Sequence, residues 1–420
     1  METKIVVFII TLLVFSGMLA FIFFNTIAET TPVADDSGAT QEGVASVVEA
    51  DNQFAFNLYS ELKDEGDSRG NIFFSPYSIS IADAIAYEGA RGQTAEEMQS
   101  VFHFPDDAAV RRSSFARIHN IINKRGKQYT LYTANALWAE QSYKFLDEYT
   151  GTIEKYYAGK TANLDFINDV EASRQIINEW VERQTNNKIK DLFQPGTLDD
   201  TTRLVITNAI YFKGKWAKQF DKANTREEDF RTISGNTVKV QMMRLTEDEA
   251  KFNYTETDDL QVLELPYEGG TLSMLVLLPK GDDLSSLENS LNAQKLSNLR
   301  KNLNEEKVHV YLPKFTFDTK YTLNENLKDM GMITAFKWPG ADFSGMDGTK
   351  DLYIAIVVHQ AFVEVNEEGT EAAAATGISM TLGAAVQQFK EFRADHPFIF
   401  LIQERETGNI LFLGRVVNPS

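Results

Sequence analysis

Near its end this chain breaks the ordinary rule for joining two strands. Residues 352–365 are rich in β-branched and aromatic side chains and read as a strand. Roughly thirty residues pass before the next strand signal, whereas an ordinary connection takes ~4–6. Connections of that length are functional or disordered. The stretch carries Ala372, Ala373, Ala374 and Ala375, then small and apolar residues with no helical stripe. Two conformations compete for it. As a strand, Thr370, Ala372, Ala374, Thr376, Ile378 and Met380 share one uncharged face, and Glu371, Ala373, Ala375, Gly377 and Ser379 share the other. As a helix, Thr370 caps an alanine-rich turn that Gly377 ends, and alanine's propensity favours it. The residues alone leave both open.

Composition excludes much. Among 420 residues there is no cysteine, so disulfides, thiol nucleophiles and thiolate metal sites are absent, and burial has to hold the fold. The formal net charge is −19, which argues against nucleic acid as a partner. No phosphate-binding loop, dinucleotide fingerprint, zinc-protease motif or nucleophile elbow occurs. His103, His119, His309, His359 and His396 are too far apart in sequence to signal a local metal site. The chain does not read as an enzyme, and nothing in it calls for a metal or a cofactor.

The termini and linkers set the domain plan. Residues 5–24 contain no charged side chain. At ~1.5 Å each, twenty helical residues span the ~30 Å of a bilayer core. Residues 1–28 are therefore either a membrane anchor or a cleaved signal, and both export the remainder to the outside. Residues 29–46 lack apolar periodicity and read as a flexible linker. Residues 47–420 show no second linker and no repeat, so they form one domain. Phe54, Leu58 and Leu62 fall on one helical face, Thr94 to Glu97 reads as a capping box, and residues 170–187 form a helix. Strand signals gather later, at residues 203–212, 271–278, 308–317 and 352–365, with a closing hairpin from 398 to 416 turned at 406–409. Helices first and strands later point to an α+β fold.

The stretch Asn366-Glu-Glu-Gly-Thr-Glu-Ala-Ala-Ala-Ala-Thr-Gly377 resembles the hinge of the serpins, the family of suicide protease inhibitors. Other serpin-like motifs follow the family order. They are Asn71-Ile-Phe-Phe-Ser-Pro-Tyr-Ser-Ile-Ser80, Gly89-Ala-Arg-Gly-Gln-Thr94, Ala134-Asn-Ala-Leu-Trp138 and Thr207-Asn-Ala-Ile-Tyr-Phe-Lys-Gly-Lys-Trp216. Leu312-Pro-Lys-Phe315, Asp395-His-Pro-Phe-Ile-Phe400 and the tail over 408–419 complete the set. The resemblance spans residues 47–420. It implies a serpin fold with about three β-sheets, eight or nine helices and a long exposed reactive loop.

The resemblance also implies a mechanism. A target serine protease attacks the loop, forms an acyl-enzyme, and is trapped when the cut loop enters the main sheet as a new strand. The hinge carries over as Glu367, Gly369, Thr370, Glu371 and Ala372 to Ala375, with no charge on the face that must enter a packed core. A hydrogen-bonded cluster beneath the separating strands, the family's shutter, carries over as Ser75, Ser78, Asn208 and His359. Trp216, Lys314 and Glu367 match the breach, where the loop first enters. Counting from the hinge puts the attacked bond at Gly383–Ala384, with Leu382–Gly383 as the alternative. No Lys or Arg lies between 372 and 388, so an elastase-, chymotrypsin- or subtilisin-like target fits better than a trypsin-like one. The expected partner is that protease in a covalent acyl complex, and the chain itself is expected as a monomer that can polymerise by loop insertion. The competing readings are a non-inhibitory carrier or chaperone of the same family and an exported hydrolase.

Overall fold

With no disulfide available, strand pairing and burial have to close the chain. The structure, a computed structural model, describes residues 33–64, 70–124, 127–246, 250–281, 284–370 and 389–420. The apolar run at residues 5–24 therefore lies outside the described residues. Among those described, no helix is long and apolar enough to cross a membrane. Residues 34–420 form one compact unit.

Sixteen strands are described. The first six are β1 (Ile72–Phe74), β2 (Tyr129–Glu140), β3 (Lys160–Leu164), β4 (Leu204–Lys215), β5 (Arg226–Arg231) and β6 (Thr237–Leu245). Then come β7 (Lys251–Glu256), β8 (Leu260–Pro266), β9 (Leu272–Pro279), β10 (Asn304–Pro313) and β11 (Phe315–Thr322). The last are β12 (Ile354–Val365), β13 (Gly369–Thr370), β14 (Lys390–Arg393), β15 (Phe398–Glu404) and β16 (Ile410–Val416). The segment expected as one strand over 308–317 divides between β10 and β11. A six-stranded sheet has the order β11-β12-β4-β2-β3, with β13 on β4. A ten-stranded sheet runs β1-β16-β15-β9-β8-β7-β10-β6-β5, with β14 beside β10. Strand β10 is shared: residues 304–307 pair with β7, while 310–313 pair with β6 and 308–311 with β14. Two of the expected sheets are thus continuous through one strand.

Ten α-helices are present among the described residues, two of them only six and four residues long. The first six are α1 (Gln41–Asp64), α2 (Pro76–Gly89), α3 (Gly92–Phe102), α4 (Ala108–Ile122), α5 (Asp147–Tyr157) and α6 (Val170–Gln184). Helix α2 starts where the sequence dictates. Ser75 is its N-cap, accepting from the Ser78 amide, and Pro76 fills the position whose missing N–H costs nothing.

Two regions depart from the sequence reading. The linker expected over 29–46 does not persist to 46, because α1 begins at Gln41. Val44, Val47 and Val48 stand at helical spacing and pack into the core, a periodicity the polar surroundings mask. Ala34 is already buried, exchanging two hydrogen bonds with the Asn120 side chain at 3.1 and 2.8 Å. The Thr94 capping box is also absent, since α3 starts at Gly92. The Thr94 hydroxyl instead accepts from the Asp342 amide, and Glu97 accepts from the amides of Ile333 and Thr334 at 2.9 and 2.6 Å. A neighbouring loop offers these side chains better partners than their own helix end.

The centre of the six-stranded sheet is buried on both faces, which fixes its composition. Leu204, Ile206, Ile210 and Phe212 of β4 enter the main core, while Val205 and Ala209 on the other face meet Ile177, Trp180 and Val181 of α6. A strand wet on one face needs polar residues at alternate positions; β4 has almost none. Helix α2 packs under this sheet and carries Asp83, fully buried with no hydrogen-bond partner for either carboxylate oxygen. Burial holds that carboxyl well above its ordinary 3.8. Folded Asp83 therefore keeps its proton where the unfolded chain loses it. Its contribution is fully present below pH 3.8 and is lost as pH rises above that value. Asp83→Asn is expected to raise the melting temperature more at pH 8 than at pH 4. Equal shifts at both pH values would show that Asp83 is not buried as a neutral acid.

Candidate functional site

The centre of the six-stranded sheet is a parallel ladder between β4 and β12. It runs from Leu204 opposite Ile354 to Tyr211 opposite Phe362. Within it one row of side chains is polar. Asn135 of β2 stands opposite Asn208 of β4, and Asn208 stands opposite His359 of β12. All other buried neighbours along β4 but Thr207 are apolar.

This row meets the start of α2. The Ser75 amide donates to His359 Nε2 at 3.0 Å, which leaves the ring proton on Nδ1 to donate to Asn208 Oδ1. Asn208 Nδ2 donates to Ser78 Oγ and to Asn135 Oδ1, both at 2.7 Å. Ser78 Oγ donates to Asn135 Oδ1 at 2.9 Å, and Ser75 Oγ to the Leu411 carbonyl at 2.6 Å. Burial pushes His359 down to about 3, so the imidazole is neutral at physiological pH. The structure thus brings together Ser75, Ser78, Asn208 and His359, and adds Asn135. The signal for Asn135 was available, since it is the one polar residue among Ala134, Ala136, Leu137 and Trp138.

A second cluster closes the upper end of β4. Past Tyr211 the strand continues to Lys215, and its new partner is the two-residue strand β13. Gly369 faces Lys215 and Thr370 faces Gly214, antiparallel. The root of this segment is held by backbone bonds. The Trp216 amide donates to the Glu368 carbonyl at 2.9 Å, the Phe220 amide to the Glu367 carbonyl at 2.8 Å, and the Trp216 indole to the Asn366 carbonyl at 3.0 Å. Lys314 Nζ lies 3.0 Å from Glu367 Oε2, and the Thr225 hydroxyl donates to Glu367 Oε1 at 2.8 Å. Burial alone would raise the Glu367 carboxyl. Its own backbone amide, Lys314 and Thr225 outweigh that and hold it below the ordinary range. Glu368 is buried too and pairs with Lys222.

Trp216, Lys314 and Glu367 are therefore adjacent in space. Thr225, Lys222, Glu368 and Tyr267 complete the cluster without any motif of their own in the sequence. Glu371, Ala372, Ala373, Ala374, Ala375, Leu382, Gly383 and Ala384 lie outside the described residues. Among the described residues no cluster of His, Asp and Glu could hold a metal ion. The arrangement offers no nucleophile with a base. It offers a strand ladder with a polar row at its middle and the short antiparallel strand β13 paired at its end.

Known proteins place this architecture. Residues 49–419 match the family described as serpin, serine protease inhibitor. An uncharacterised serpin-like protein of Thermococcus kodakarensis is 48% identical over 377 residues, 89% of this chain and 86% of that one. Leukocyte elastase inhibitor A of Mus musculus is 43% identical, over 88% of this chain and 98% of its own. The crystal structure of uncleaved ovalbumin superposes with a TM-score of 0.79 at 34% identity, covering 89% of this chain and all of the other. With the family matched across the whole domain and the fold shared, this chain belongs to the serpins.

Proposed function

We propose that the chain is an irreversible inhibitor of serine endopeptidases that traps the acyl-enzyme by drawing its cleaved loop between β4 and β12. The observation that carries this reading is the position of Thr370. It is buried, in register on β4, and its hydroxyl lies 3.0 Å from that of Tyr267 on the core side. Each further loop residue would move its partner one step back along β4. Residue 372 would face Phe212, residue 376 Asn208, and residue 380 Leu204, where β4 begins. Even-numbered residues would share the inward side of Thr370, and that is the face free of charge. Thr376 would bring a hydroxyl into the polar row of Asn208 and His359, where an apolar residue would leave those groups short of partners.

The same register bears on the attacked bond. A strand ending at residue 380 leaves Gly383–Ala384 and Leu382–Gly383 just beyond the sheet, where the attached protease can hang clear. An elastase-type target accords with small residues around that bond and with the murine relative's name. The uncharged run at residues 5–24 favours a target met outside the cytoplasm.

The test is incubation with pancreatic elastase, chymotrypsin and subtilisin, read by SDS gel and by the mass of the released C-terminal peptide. The expected result is an SDS-stable complex with at least one of them and a cut between residues 380 and 385. Cleavage by all three with no complex would overturn the inhibitory reading and leave a carrier or chaperone. Thr370→Arg puts a charge where the structure buries a hydroxyl, at a cost of several kcal/mol. It should turn the chain into a substrate, with complex yield reduced by more than about tenfold; unchanged yield would refute this role for the hinge.

Glu367→Ala removes the carboxylate that ties the loop root to Lys314 and Thr225. Lys314 is 39% exposed and stays solvated, so the native fold should survive. Polymerisation on warming should quicken several-fold, as followed by native gel. Wild-type and variant ladders that grow at the same rate would show that this ion pair does not restrain the root.

A further inference from the structure

The outer face of the seam between β4 and β12 carries a row of its own, and this one is aromatic. Tyr211 stands opposite Phe362 across the seam and opposite Tyr132 of β2 on its other side. The Tyr132 and Tyr211 rings stack at 5.9 Å, and Tyr211 and Phe362 meet at 6.0 Å. Tyr211 follows Val205 and Ala209 at alternate positions, so it shares the face that α6 covers. One cation lies over both sides of the seam. Lys188 Nζ is 5.5 Å from the centre of the Tyr211 ring and 5.6 Å from that of Phe362. It belongs to neither strand but to the connection that leads α6 into β4, and that connection holds it in place. Asn186 and Asn187 both take left-handed backbone, with φ 51° and 58°, which asparagine tolerates better than most residues. The Asn187 amide donates to the Glu182 carbonyl at 2.8 Å and the Lys188 amide to the Thr185 carbonyl at 3.0 Å. Beyond Lys188, Ile189, Leu192 and Phe193 are buried in the small core with Ile177 and Trp180.

We infer that Lys188 is a clasp across the seam: its ammonium grips one ring on each strand and holds β4 to β12 on the outer face. A cation over two rings is attracted to the negative face of both. When the strands part, the rings separate and the ammonium can follow only one of them. The contact therefore favours the closed ladder over the open one. Hydrogen bonds of the inner polar row can be exchanged for others, whereas this contact has no replacement once the rings are apart. The clasp thus sets how often the seam opens. Its place in the sheet stands on geometry alone. Its consequence for trapping deepens the inhibitory reading and rests on it: a loose seam would open before any protease arrives, and a tight one would open too late to outrun hydrolysis of the acyl bond.

The experiment compares wild type, Lys188→Met, Lys188→Arg, Phe362→Leu and the double variant of Lys188→Met with Phe362→Leu. Two rates are read. One is amide hydrogen exchange along the ladder, residues 204–211 and 354–362. The other is entry of a synthetic peptide of residues 370–383 into the sheet, followed by native gel. Lys188→Met keeps the stem and deletes the charge. It should quicken both rates by about 3- to 30-fold, the range of a partly desolvated cation–π contact, and leave exchange in β15 and β16 unchanged. Lys188→Arg keeps a cation that stacks on rings and should return both rates to within about twofold of wild type. On the Phe362→Leu background, Lys188→Met should add less than about twofold, because one side of the grip is already gone. Unchanged rates in Lys188→Met, equal quickening in both sheets, or effects that multiply in the double variant would overturn the clasp. A wild type that takes up no peptide, while Lys188→Met still quickens exchange along the ladder, would instead refute the inhibitory reading and leave the clasp standing.

Discussion

Everything else in this molecule is arranged around the parallel ladder between β4 and β12. It holds as the centre of a sheet, buried on both faces, and the proposed inhibition asks it also to part lengthwise without unfolding the domain. Those demands conflict, because a ladder packed by apolar residues on both sides gains its stability from packing that parting would break. The resolution lies in how the burial is divided. Helix α6 covers one face with a separate small core, built on Trp138, Ile177, Trp180 and Val181, while the main core covers the other. Parting of β4 from β12 would therefore act on two separate layers, the small core under α6 and the main core that the closing hairpin shares through the Phe212–Phe412 contact.

The polar row at the middle of the ladder serves the same end. Apolar packing broken by separation has no substitute, whereas hydrogen bonds can be exchanged for others of equal worth. Asn135, Asn208, His359, Ser75 and Ser78 satisfy one another now, and the row can accept a new member. The neutral state of His359 matters here. A charged imidazole would demand a fixed counterion in a buried site, and neither Ser75 nor Asn208 beside it is charged. The row is thus specific enough to hold register and free of the ion pairs that would lock it.

Much of this was legible in the chain. The strand at 352–365, the buried face of Phe54, Leu58 and Leu62 and the closing hairpin follow from periodicity and turn chemistry, which act locally. The polar row was visible only through the family resemblance, because nothing in composition says that His359, Asn208 and Ser75 meet. Two errors share a cause. The stretch from Ala34 into α1 reads as linker and Thr94 as a cap, and both readings fail because tertiary partners decide them: the Asn120 side chain for Ala34, and the loop over 333–342 for Thr94 and Glu97. Tyr267, Thr225 and Lys222 were invisible for the same reason. Each sits in an ordinary stretch of sequence, and each acquires its meaning from a residue more than a hundred positions away.

Some of the buried polar groups without protein partners lie on α1 and α2, which pack against each other. Tyr77 and Asp83 in α2 are buried with side-chain oxygens that find no hydrogen bond to protein, and the buried Asp51 in α1 has only the Ser80 hydroxyl beside it. Burial holds both carboxyls well above the ordinary range. In a chain otherwise consistent at every level, such conflicts are expected where function outweighs stability. Helix α2 begins just after Ser75, whose amide donates to His359, and lies against β2 and β4, the strands that would have to shift. A support made of well-satisfied groups would stabilise the closed sheet as firmly as the rest of the core. One that carries unpartnered acids lowers the stability of the closed state near neutral pH and so narrows the gap to an opened sheet. The absence of any disulfide has the same consequence, since no covalent link opposes the motion.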